Sequence, residues 1–395
     1  MSMPSELKFV RTQFSDALPP PMRTSGIIHW ARENLFSSIF NSLLTIFILF
    51  ALYQIIPGMI DRLLLTAIWS ADSSKDCNVE LLGHPVGVCW GFVNAHWGYF
   101  VFGQYPEQLR WRPELFFALE AIGLAWLLVP SLPRKDWAMV YFFIIFPIVG
   151  FILLSGSATL GMPIVQTHFW GGFLVSIVIG TTGIVISVPV GILLALGRRS
   201  HMPVARSASV VMIEFIRGVP LITVLFMANV MFPLFVPEGW RPDPLLRVLV
   251  GVALFFSAYM AETVRGGLQA IPRGQYEAAQ ALGLSYWQMM VKIILPQALK
   301  IVIPGIVNNF IGLLKDTTLV AIVNIFDFLK VIEAALNNPV WRLAQMPFAG
   351  YLFAAIVYFI LCYGMARYSM SVGKRLGTDQ DRKSTRLNSS HTDIS

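Results

Sequence analysis

At 395 residues, 56% of them hydrophobic and only 13% charged, with a mean hydropathy of +0.65, the chain carries more apolar side chain than a soluble domain could bury. Its formal charge of +7 does not point to nucleic acid, because the charges fall in short clusters between apolar runs, the pattern of membrane topology. Three cysteines are too few for a disulfide scaffold and no Cys/His group has metal-ligand spacing, so neither thiol chemistry nor a metal site is expected.

Residues 1–37 read as a polar, basic cytoplasmic tail containing Pro19, Pro20 and Pro21, which is not the layout of a cleaved secretory signal. Eight runs long enough to cross a bilayer follow. Three of them, over 38–60, 114–130 and 137–155, make an N-terminal membrane region spanning 38–170. The other five, over 171–196, within 208–236, and over 246–264, 301–323 and 348–370, make a second group spanning 171–373. The fold class is therefore all-α integral membrane.

Placing the N-terminus in the cytoplasm puts Arg134/Lys135, Arg198/Arg199/Arg206, Arg265/Arg273/Lys292/Lys300 and Lys374/Arg375 on the same side. The even number of spans returns the C-terminus there too. The loop 61–113 is then extracytoplasmic, and in an oxidising compartment its Cys77 and Cys89 either bridge or stay as two thiols; spacing does not decide. Residues 382–395 (RKSTRLNSSHTDIS) read as a non-native appendage, the alternative being a genuine disordered tail.

The polar interruption 265–300 is too long for a turn and holds two short helical patterns, 275–282 and 286–295, with Gly283 between them and Pro296 closing the second. Ala278 and Ala279 offer a nearly bare surface and Glu277 a charge, which suits docking on a cytoplasmic protein. An amphipathic helix lying on anionic lipid is the other reading. Ionisable and amide residues in the apolar runs are costly unless paired or facing a cavity. Glu214, Asn229, Asn308, Asn309, Lys315 and Asp316 are candidates for a translocation path, whereas Arg217, Glu262 and Arg265 read better as a boundary pair network. Pro189, Pro220, Pro233 and Pro304 should kink or break their helices.

Glu277, Ala278, Ala279, Gly283, Ile293, Leu295 and Pro296 stand in the order and spacing of the EAA loop of ABC importer permeases: EAA, three residues, G, nine residues, I-x-LP. Around them RGVPLITVLF (217–226), AYMAETVRGGLQAIPRGQYEAA (258–279), PQALKIVIPG (296–305) and LLKDTTL (313–319) resemble the polar amino acid family of these permeases. With its three extra N-terminal spans, the chain resembles the long M-type permease subunit of general L-amino acid importers. The resemblance implies a five-helix type I permease core over 171–373 in the bacterial inner membrane. It also implies a second homologous permease, an ABC ATPase dimer gripping residues 277–283, a periplasmic amino-acid-binding protein and an L-amino acid as substrate.

The chain lacks a G-x-x-x-x-G-K-[ST] phosphate loop, so ATP would be used by the partner, and no cofactor is expected on this chain. A stand-alone secondary transporter or channel is the competing reading, but no repeat relates the two groups of spans. A membrane enzyme is the third, against which His29, His84, His96, His168 and His201 are scattered and H-E-x-x-H and G-x-S-x-G are absent.

Overall fold

The computed structural model describes residues 26–237, 239 and 241–375, so the 382–395 segment and most of the N-terminal tail lie outside the described residues. Among those described there are helices and isolated bridges but no strand. Six helices are long and apolar enough to cross a membrane, and a seventh span results if a bent pair is counted as one.

One compact unit contains the described residues 26–67 together with Pro85–Gly87. Its helix α1, Ile39–Ile60, starts where the Ser38 side chain accepts from Asn41 N at 3.2 Å, and a π turn over Asp61–Leu65 extends it to 27 residues. At 1.5 Å per residue that is about 40 Å, enough to cross the hydrocarbon core with tilt. No residue of Ile39–Ile60 is buried, and apolar side chains occupy every face, as lipid contact requires.

The second unit holds, besides short helical turns between 68 and 110, the principal helices that follow. They are α2 (Trp111–Leu128), α3 (Lys135–Ser155), α4 (Gly172–Arg198), α5 (Pro203–Gly218), α6 (Leu221–Leu234), α7 (Pro244–Ala270), α8 (Arg273–Ala281), α9 (Tyr286–Val323), α10 (Phe328–Leu336) and α11 (Met346–Arg375). The 18-residue α2 carries Arg112, Glu114 and Glu120, which is why it falls outside the six although it coincides with an apolar run. Between α5 and α6 the chain turns by 105° at Val219 and Pro220, so the stretch 208–236 is a broken element. Pro189 and Pro304, by contrast, lie inside continuous helices.

Helices α2 and α3 fall in the same compact unit as α4–α11, whereas α1 falls in the other. Buried polar contacts explain the attachment. Thr181 Oγ1 on α4 donates to the Glu120 carboxylate on α2, and Arg112, itself buried, donates to Pro163 O at 2.8 Å. Around them Phe116, Phe146, Leu154, Leu174, Val178, Ile179, Leu225 and Val252 form a continuous apolar cluster.

At one end of the unit, Cys77 and Cys89 form a disulfide with Cα atoms 6.0 Å apart. Gln345 Nε2 donates to Cys77 O and Ser74 N to Val340 O (3.1 Å), tying this loop to the α10–α11 connection. Phe92, Phe100, Phe328, Ile332, Trp341 and Met346 fill the space beneath. Here Asp327 caps α10, accepting from Leu329 N at 3.0 Å and Lys330 N at 3.2 Å.

Asp327 is fully buried, and burial pushes its carboxyl up to about 6 against the backbone bonds that favour its charged form. A carboxyl raised above its ordinary 3.8 contributes stability at low pH that is lost as the pH rises through about 6. Asp327→Asn keeps a capping acceptor without the charge. Its thermal midpoint in detergent should exceed wild type at neutral pH, the gap closing as the pH is lowered through that value; a gap independent of pH would contradict this account.

Candidate functional site

The opposite end of the second unit carries α8. The helix ends in a Schellman turn: Leu284 N donates to Ala279 O at 3.3 Å, and Gly283 takes the left-handed conformation at φ +72. A Cβ at this φ would be strained, so the glycine is required by the backbone alone. The next helix opens on a reciprocal cap, Gln288 N to Ser285 Oγ at 3.4 Å and Ser285 N to Gln288 Oε1 at 3.0 Å.

Pro296 does not close that second helix. α9 runs unbroken for 38 residues, because a π turn over Met290–Ile294 widens the helix just ahead of the proline ring and accommodates its missing N–H. The two short helices expected around Gly283 are thus one short helix and the first turns of a long one.

α8 is held at three points. Ala279 is buried against Ala195, Leu196, Met260, Leu268, Met289 and Ile294. Tyr276 Oη donates to Leu268 O at 3.1 Å and accepts from Arg199 Nη1 at 3.2 Å, with the guanidinium 5.6 Å above its ring. Gln275 Oε1 accepts from Gln297 Nε2 of α9 at 3.2 Å. Ala279 therefore serves internal packing, whereas Glu277 and Ala278 are exposed and Glu277 has no partner among the described residues. Ile293 and Leu295 also turn inward onto the same cluster. The exposed surface of the elbow includes two residues that the motif does not contain, Leu282 at 77% exposure and Trp287 at 61%. Their signal in the sequence was an apolar side chain set beside a polar helix where no buried face was available.

Beneath α8 lies a charge cluster. Arg198 Nη1 donates to both Glu214 Oε1 and Glu262 Oε1 at 2.8 Å, joining α4 to α5 and α7. Glu262 also meets Arg265 at 2.8 Å and Arg217 at 3.8 Å, so three arginines face one carboxylate whose side chain is 16% exposed. Gly267 brings α9 close to α7 here, since a Cβ on it would stand 2.6 Å from Ala298 O.

The six candidate path residues do not converge. Glu214 belongs to the charge cluster. Asn229 lies at the far end, donating to Val323 O at 3.5 Å and lining a cavity of about 780 Å³ with Thr181, Asp243 and Asn324. Asn309 bonds Thr263 Oγ1 at 3.0 Å and so joins α9 to α7. Asn308 and Lys315 are exposed on α9, and Asp316 is half-buried. Glu120 escaped the sequence reading although it met the same criterion, an acid inside an apolar run.

Residues 187–370 match the family of binding-protein-dependent transport system inner membrane components. The chain is 45% identical over 360 residues to the inner membrane amino-acid ABC transporter permease protein YhdY of Escherichia coli (strain K12), covering 91% of this chain and 96% of that protein. It is 40% identical over 434 residues to the glutamate/glutamine/aspartate/asparagine transport system permease protein BztC of Rhodobacter capsulatus, covering 95% and 99%. The solved structure of an amino acid ABC transporter with histidines aligns over 52% of this chain and 92% of its own, at 26% identity and a TM-score of 0.46. The chain belongs to the amino-acid ABC transporter permeases.

Removing the central carboxylate leaves three guanidinium groups facing one another. Glu262→Leu should cost about 1–3 kcal/mol, less than a fully buried pair because the arginines remain partly exposed. Thermal unfolding in detergent measures it; a midpoint equal to wild type would show that the cluster does not hold these helices together.

Proposed function

We propose that this chain is one of two permease subunits of an importer that carries L-amino acids inward across the bacterial inner membrane, driven by a separate ABC ATPase dimer that grips α8. The observation that carries this is the exposed elbow: Glu277, Ala278 and Leu282 face outward on a helix whose other side is fastened to the bundle. A surface helix needs no such fastening to lie on lipid, but a helix that transmits force does.

Charge supports the orientation. Arg198, Arg199, Arg265 and Arg273 gather at the α8 end, which favours reading that end as cytoplasmic, and the cytoplasmic assignment of both termini rests on the same charge rule. The disulfide-bearing end then faces the periplasm, where a binding protein releases substrate and where an oxidising medium keeps Cys77 and Cys89 joined. Asn308 and Lys315, seven residues apart and so near one face of α9, are exposed polar residues available to a passage lined jointly with the second permease. Hydrolysis is left to the partner, because this sequence has no phosphate loop.

The test is copurification from detergent. The wild-type chain should bring down an ATPase. Glu277→Lys combined with Gly283→Asp, which reverses the exposed charge and strains the φ +72 turn, should lose it while the bundle stays folded. The chain purified alone should hydrolyse ATP no faster than background. Uptake that persists without any ATPase would favour a stand-alone transporter instead.

A further inference from the structure

The elbow is anchored lightly by apolar contact. Of the nine residues of α8, Ala279 is the one that is buried, and an alanine contributes little to holding a helix against a load. Polar ties therefore set its position, and they are concentrated on two adjacent residues. Gln275 reaches α9 through Gln297 (3.2 Å), and Tyr276 reaches α4 and α7 through Arg199 (3.2 Å) and Leu268 O (3.1 Å).

Arg199 is the immediate neighbour of Arg198, at the end of α4. Whatever displaces Tyr276 is passed along one peptide link of about 3.8 Å to the residue that clamps α5 and α7 through Glu214 and Glu262. Meanwhile Arg199 and Tyr276 line a cavity of about 510 Å³, together with Gln280, Tyr286 and Trp287, so the elbow has free volume beside it into which it can shift.

We infer that Arg199 and Tyr276 form a strap that delivers movement of α8 to the end of α4, and through Arg198 and Glu262 to α5 and α7. This rests on the reading of α8 as the helix gripped by the ATPase. Both are positioning residues: neither need touch the transported molecule or ATP. Tyr276 also packs its ring against the cluster of Ala279, Met289, Met290 and Ile294, so Tyr276→Phe, which keeps the ring, separates the strap from packing.

The experiment uses the assembled complex in proteoliposomes with its binding protein, and reads amino acid transported per ATP hydrolysed, alongside the yield of intact complex. Arg199→Ala and Tyr276→Leu should lower that ratio about tenfold, what a hydrogen bond to a charged group is worth, in complexes that still assemble with the ATPase. Arg199→Lys, which retains the charge, should recover part of the ratio, and Tyr276→Phe, which retains the ring and loses the hydroxyl, should fall between. A wild-type ratio in Arg199→Ala and Tyr276→Leu overturns the strap. If both variants fall apart as complexes, Tyr276→Phe decides: a lowered ratio upholds the inference and a wild-type ratio overturns it. Absence of an ATPase from the wild-type preparation removes the docking reading and the strap together, whereas an unchanged ratio in an intact complex removes the strap alone.

Discussion

A guanidinium at the end of an apolar helix must find an anion, and Arg198 finds two on different helices. That pairing fixes how α4, α5 and α7 meet at one end of the bundle. The position of α8 depends on it, because Arg199 follows directly and Leu268 O, the other partner of Tyr276, lies on α7 just beyond Arg265. The elbow therefore rests on an apolar cluster as well as on a charge cluster. A cluster of this kind specifies which helices meet and in what register more than it adds net stability, a role suited to a part that must move without dissociating.

The two ends of the compact unit are built differently. The α8 end relies on arginines, one glycine turn and a long continuous helix with an exposed elbow beside a cavity. The other end is closed by a disulfide, a capped α10 and a layer of aromatic side chains running from Phe92 to Trp341. Glu120 on α2 meets Thr181 on α4 and Arg112 on α2 meets the loop before α4, both residues buried, and α2 and α3 lie in the same compact unit as α4.

The elbow could be read from the sequence because its information is local: a polar helical pattern, a glycine where only glycine suits φ +72, and a spacing shared with a known family. What failed was also local but cooperative. Pro296 looked like a terminator, and a helix can carry it only because the preceding turn is π-wound, something no single residue announces. Ala279 looked like bare surface, and burial reversed its role, since the inward face of a nine-residue helix depends on the rotation set by Tyr276 and Gln275. The Glu262–Arg265 pair was visible at three residues' spacing, whereas Arg198, 64 residues away, became its partner only through folding. Contacts of that range leave no periodic trace in one sequence.

The most direct test of the central claim is to put a photoreactive residue at Leu282, the most exposed apolar side chain of the elbow, and irradiate membranes containing the whole transport system. The account predicts one dominant adduct, to the ATPase, that is lost when Gly283 is made aspartate. Adducts to lipid alone, or an ATPase adduct no stronger than the one obtained from Phe359 in the middle of α11, would contradict it.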